Sequence, residues 1–349
     1  MSVQFNVNNL KYNNISYFEN NAGKNIGFQG LNRCLSRSFV NGGRNKVTGF
    51  AQMAEDTVME AIKNHPKSRR FVGNLPPEWI DRIPKEKRKE TIQQLQDLFS
   101  NFAEKLCTPQ CTKFKKDETF VVDFLKNLKQ KLGLDTNIEF IDSGEIGKAY
   151  KLKVGKKKYV FKTFHSDMDP GFSKSHGKVF EPARAPYANK KGCKSFVDFY
   201  FGKIGTPESQ DGFMLTKFEP SDQKLTPAEE IRRLLRMLKS PVTSPDIYIC
   251  QNISNDYNTI GRKIIDFGKL VLIPQNLSKE LKKTAKDIEK YYFNTGKIEN
   301  NKKTVLNQIN DIKQIFSCFS IDLDVEENLI NTLNRIAALL KKQINYNNL

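Results

Sequence analysis

The chain has little of what metal and thiol chemistry needs. Three histidines, at 65, 165 and 176, are too few and too scattered for a Ser-His-Asp centre or a histidine-bound metal. Six cysteines, at 34, 107, 111, 193, 250 and 318, form no C-x-x-C pair, and Cys107 with Cys111 lacks a second ligand pair, which argues against a zinc site. No run of 18 apolar residues occurs and no apolar stretch follows the first residues, so neither a membrane span nor Sec export is expected. Acids are also in short supply: 39 Asp and Glu against 57 Lys and Arg leave a net charge of +18. A basic chain can bind nucleic acid or an anionic lipid surface by releasing counterions. Here the lysines are spread over the whole length, with no arginine-rich run and no RNA-recognition, zinc-finger or helix-turn-helix signature, so the first reading is a solvated basic surface and no specific nucleic-acid partner.

What is present is enough for a sizeable core: 349 residues, 38% hydrophobic, with 25 Phe. Residues 1–47 stand apart, rich in Asn, Gly and Ser without sustained periodicity, and read as a disordered segment. Residues 48–132 read as a small helical region. Ile92, Leu95, Phe99, Phe102 and Leu106 fall at helical spacing, as do Phe124, Leu125, Leu128 and Leu132, and Pro76-Pro77 and Pro84 punctuate the chain before them. This region could dock a secretion chaperone, dock a substrate or brace the domain on its C-terminal side; its residues do not choose.

From about residue 138 the pattern changes to short strands. Ile141-Asp142-Ser143-Gly144-Glu145-Ile146-Gly147-Lys148-Ala149-Tyr150 reads as strand, glycine turn, strand. A basic turn at Gly155 and Lys156 leads to Tyr159-Val160-Phe161-Lys162, where Lys162 alternates with apolar neighbours. Glycines at 144 and 147 would let backbone close over phosphates, and a lysine on the next strand could neutralise them. Asp142 stands where G-x-G-x-x-G has its first glycine. After a helical stretch at 227–238 comes Ser244-Pro245-Asp246-Ile247-Tyr248-Ile249-Cys250-Gln251-Asn252, then Ile264-Ile265-Asp266-Phe267-Gly268. In this order Asp246 would orient an acceptor hydroxyl, while Asn252 and Asp266 would hold Mg2+. Ser244-Pro245 replaces the usual His-Arg, and the Asp246 to Asn252 interval is one residue longer than in H-R-D-x-x-x-x-N. The plainer reading of the segment is a helix-to-strand loop rich in Asp, Asn and Pro. Glu181, nineteen residues beyond Lys162, could pair with that lysine. Pro182 and Pro186 beside it equally suit a carboxylate at a helix start.

These motifs, with Phe213-Met214-Leu215-Thr216-Lys217-Phe218-Glu219, Met237-Leu238-Lys239-Ser240 and Asn252-Ile253, resemble the SteC-type protein kinases that bacteria inject into host cells by type III secretion. In that family, too, the interval between aspartate and asparagine carries one extra residue. The resemblance covers about residues 138–275. It implies a secreted effector that acts in the host cytoplasm, transfers the ATP γ-phosphoryl group to Ser, Thr or Tyr of a host protein, and needs ATP and Mg2+.

The expected fold is therefore α+β: a kinase-like bilobal domain over 133–349, with an N-lobe at 138–218, a linker at 216–221 and a helical C-lobe at 222–349. The 81 residues after Gly268 contain no Ala-Pro-Glu motif, so the C-lobe is expected to be reduced. Its helices are placed at 277–292, 302–319 and 326–344, the last with Leu329, Leu333, Ile336, Leu340 and Ile344 on one face. The expected site comprises Gly144 and Gly147 over the phosphates, Lys162 and Glu181 beside them, Asp246 as the catalytic carboxylate, and Asn252 with Asp266 on the metal. Other classes stay open. One is a pseudokinase scaffold, another an AMP-transferring enzyme on the same fold, and a third a basic nucleic-acid or lipid-surface binder.

Overall fold

Alternating side chains on β-strands decide how this protein divides its interior. The computed structural model describes residues 70–106, 118–144, 146–164, 181–205, 211–220, 225–244, 258–268, 270–294, 298–319, 321 and 323–347. Strands β1 (Phe71–Gly73), β2 (Thr136–Ser143), β3 (Gly147–Val154), β4 (Lys157–Phe164), β5 (Phe199–Lys203) and β6 (Phe213–Lys217) form one antiparallel sheet in the order β1-β5-β6-β4-β3-β2. Because successive side chains point to opposite faces, Tyr159 and Phe161 of β4 enter one apolar cluster while Phe164 enters another. On β6, Phe213 and Leu215 join the first cluster and Met214 the second. A shift of register between Phe199 and Phe201 of β5 sends these two rings to opposite faces as well, the re-aiming expected of a bulge.

The first face is covered by α1 (Pro77–Ile80), α2 (Arg88–Leu106) and α3 (Thr119–Leu132). Trp79 and Phe99 are fully buried and stack with ring centroids 5.9 Å apart. Phe99 meets Phe124, Phe161 and Phe201 edge-on at 5.1, 5.5 and 5.1 Å, and Phe102 lies 3.9 Å from Phe124. The helical region expected from periodicity thus shares one core with the sheet. It also supplies strand β1, which the sequence reading did not place, because three residues are too few to establish an alternating pattern. This corner is tied by Asp211, whose carboxylate accepts from Arg70 at 3.4 Å and from Lys203, all three largely out of solvent.

The second face looks toward α4 (Glu181–Lys190) and a helical bundle. Helix α5 (Pro227–Leu238) starts in a capping box, with Glu229 N–H donating to Thr226 Oγ1 while Glu229 accepts from the Thr226 backbone, and Pro227 sits in the first turn, where its missing N–H costs nothing. Three two-residue strands come next, β7 (Val242–Thr243), β8 (Thr259–Ile260) and β9 (Lys263–Ile264), then β10 (Val271–Leu272), which pairs with β7. Helices α6 (Gln275–Asn294), α7 (Ile298–Gln314) and α8 (Leu323–Asn347) complete the bundle; the helices expected at 277–292 and 326–344 fall within α6 and α8, while α7 begins and ends earlier than the expected 302–319. Leu329, Leu333, Ile336 and Leu340 of α8 are buried in it, so this apolar stripe is core. The fold is α+β, and no described helix is long and apolar enough to cross a membrane.

Candidate functional site

Register places the glycine turn and the strand lysine together. Gly144 N–H donates to the Gly147 carbonyl at 2.9 Å, closing a tight hairpin between β2 and β3, and Ala149 of β3 is opposite Lys162 of β4. The two glycines differ in purpose. A Cβ on Gly147 would fall 2.1 Å from the Thr163 carbonyl oxygen, so this position is glycine because β4 passes too close for a side chain; a Cβ on Gly144 would meet nothing within 4 Å. Of these two glycines, Gly144 is thus the position where, among the described residues, the backbone has open space beside it.

Lys162 projects from the face opposite the aromatic cluster. Its ammonium lies 2.7 Å from Glu181 Oε1 at the start of the described part of α4, and 5.6 Å from the Phe164 ring. Glu181 is completely buried, whereas the Lys162 side chain keeps 23% of its exposure. Of the two roles open to Glu181, the lysine pair is the one its geometry makes.

Asp266 arrives from the other half of the protein. Strand β9 is held to the segment before β5 by Ile264 N–H to the Ser195 carbonyl (2.8 Å) and Val197 N–H to the Ile264 carbonyl (2.9 Å). Phe267 is fully buried, stacked on Phe196 at 5.5 Å, which anchors the Asp-Phe-Gly turn to the core. Within the turn, Gly268 N–H donates to Asp266 Oδ1 at 2.7 Å. Helix α4 grips the same turn, since Arg184 donates to the Gly268 carbonyl and a Cβ on Gly268 would lie 3.5 Å from Glu181 Cγ.

The outcome is one ammonium in a salt bridge with Glu181 and in the field of the Asp266 carboxylate. Burial pushes the Glu181 carboxyl up to about 8; Lys162 pulls the other way, but the nearby Asp266 carboxylate adds to the rise. Burial also disfavours the Lys162 ammonium, yet the Glu181 and Asp266 carboxylates outweigh it, and its pKa stands above the ordinary lysine value. Glu181 Oε2 is buried and, among the described residues, receives no hydrogen bond. Two carboxyl groups beside the exposed edge of a lysine can serve a cation and an anionic ligand together. Among the described residues no group of three or more His, Cys, Asp or Glu could hold a metal unaided.

Structure therefore gathers Lys162, Glu181 and Asp266, with Gly144 and Gly147 on the adjoining hairpin. Asp246 and Asn252 lie outside the described residues. Arg184 went unnoticed in the sequence, although its place three residues after Glu181 puts both on one helical face. Phe196, the partner of Phe267, carried no sequence signal, because its contact crosses from one half of the chain to the other.

No family model and no curated protein matches this chain. Among solved structures, the crystal structure of WbdD aligns with 86% of this chain and 76% of its own, at 12% identity and a TM-score of 0.28. A superposition that loose assigns neither a fold family nor an activity.

Proposed function

We propose that the protein is an ATP-dependent phosphotransferase with a kinase-like bilobal fold. The sheet is its N-lobe, the segment at 216–221 its linker and the bundle over 222–349 a reduced C-lobe. The observation that carries this reading is the Lys162–Glu181 pair closed against Asp266, three residues from three separated elements that meet as phosphoryl transfer requires. Lys162 would hold the α/β-phosphates, the backbone at Gly144 would cover them, and Asp266 would hold Mg2+ together with Asn252. Bound Mg2+ would neutralise charge on the phosphates. Asp266 has a carboxylate oxygen suited to that hard cation. Asp246 would orient the acceptor hydroxyl, making the acceptor a Ser, Thr or Tyr side chain. By its resemblance to the SteC-type kinases, the protein is a type III-secreted effector, with a host protein as substrate and a secretion chaperone as an N-terminal partner.

The test is transfer of label from γ-labelled ATP with Mg2+, to the protein itself and to a eukaryotic lysate, for wild type and for Lys162→Met, Asp246→Ala and Asp266→Ala. Label lost in all three variants supports the reading. Label delivered from α-labelled ATP instead would assign nucleotide transfer. ATP binding with no transfer would assign a pseudokinase, and absence of both would remove the nucleotide site altogether.

A further inference from the structure

We infer that Arg184 is a positioning residue that sets the geometry of Asp266. Helix α4 carries two grips one turn apart: Glu181 holds Lys162 of the sheet at 2.7 Å, and Arg184 donates to the Gly268 carbonyl. Gly268 in turn presents its N–H to Asp266 Oδ1 at 2.7 Å, so the residue that Arg184 holds on one side orients the carboxylate on the other. The packing leaves this turn little freedom. Phe267 is fully buried against Phe196, and a Cβ at 268 would fall 3.1 Å from Asp266 Oδ1 and 3.5 Å from Glu181 Cγ. One rigid helix therefore fixes both the lysine from β4 and the carboxylate after β9. A guanidinium suits the task because its planar group holds the donating Nη1 in a fixed direction toward the Gly268 carbonyl, which a freely rotating ammonium does less well.

The inference rests on the phosphotransferase reading for its consequence but not for its contact, so two measurements separate them. Arg184→Met keeps the apolar stem and removes the donors; Arg184→Lys restores the charge and N–H donors but not the planar guanidinium. The first measurement is hydrogen exchange of a peptide spanning 263–268 in the full chain without ligand, where Arg184→Met should speed exchange and Arg184→Lys should lie between it and wild type. The second is steady-state kinetics, where Arg184→Met should lower kcat on the order of 10²-fold with little change in the KM for ATP, the pattern of a misplaced group at the reacting centre. Exchange at 263–268 unchanged from wild type in both variants, or kcat within about twofold of wild type in Arg184→Met where a 10²-fold fall is expected, overturns the inference. If the wild type transfers no phosphate, the kinase reading fails alone and exchange still decides whether Arg184 holds the turn.

Discussion

The two faces of the central sheet solve opposite problems. The face under α2 and α3 is mainly aromatic, with Trp79, Phe99, Phe102, Phe124, Phe161 and Phe213 in one network of ring contacts and the Arg70–Asp211–Lys203 group buried at one corner. The other face, around Lys162, gathers one ammonium and two carboxyl groups where a well-packed hydrophobe would cost less. The first arrangement stabilises whatever the protein does. The second carries a desolvation cost that the Lys162–Glu181 pair offsets in part and that a bound ligand would offset further. The helical region backs the sheet on its aromatic side, and Lys162, Glu181 and Asp266 lie on the other.

Each side can be broken separately. Phe99→Ala, at the centre of the aromatic face, should cost about 3–5 kcal/mol of stability by denaturant unfolding, through lost burial and the cavity left behind. Lys162→Met should do the converse, lowering phosphotransfer about 10²–10³-fold, as for loss of one electrostatic contact to a developing charge, while the fold persists by circular dichroism. A smaller effect comes from pH. The Glu181 carboxyl is raised from its ordinary 4.5 to about 8, so the folded state holds a proton that the unfolded chain releases earlier. That contribution to stability is complete below the ordinary value and is lost as pH rises through about 8. Thermal unfolding of the wild type should accordingly weaken across this window, and Glu181→Gln should flatten the trend; an equal decline in both proteins would remove Glu181 as its source. Smallest of all, Lys129→Ala breaks an ion pair with Asp135 whose side chains are 62% and 89% exposed, and should leave the unfolding midpoint and activity unchanged.

Local pattern made much of this legible beforehand. Helical spacing located α2, α3 and the three C-terminal helices, and the helical stretch expected at 227–238 is α5. The glycine turn, the lysine on β4 and the Asp-Phe-Gly turn each appeared as a short motif. Strand β1 and Arg184 did not, the one for being three residues long and the other because its partner is a backbone carbonyl 84 residues away.

The sequence by itself determined the elements and the order of the motifs, because periodicity, capping and turn chemistry act over a few neighbouring residues. Only the tertiary structure decided which charges meet. Lys162, Glu181 and Asp266 are brought together by strand register, by the packing of α4 and by the burial of Phe267. These depend on contacts between residues far apart in the chain, and no local pattern encodes them.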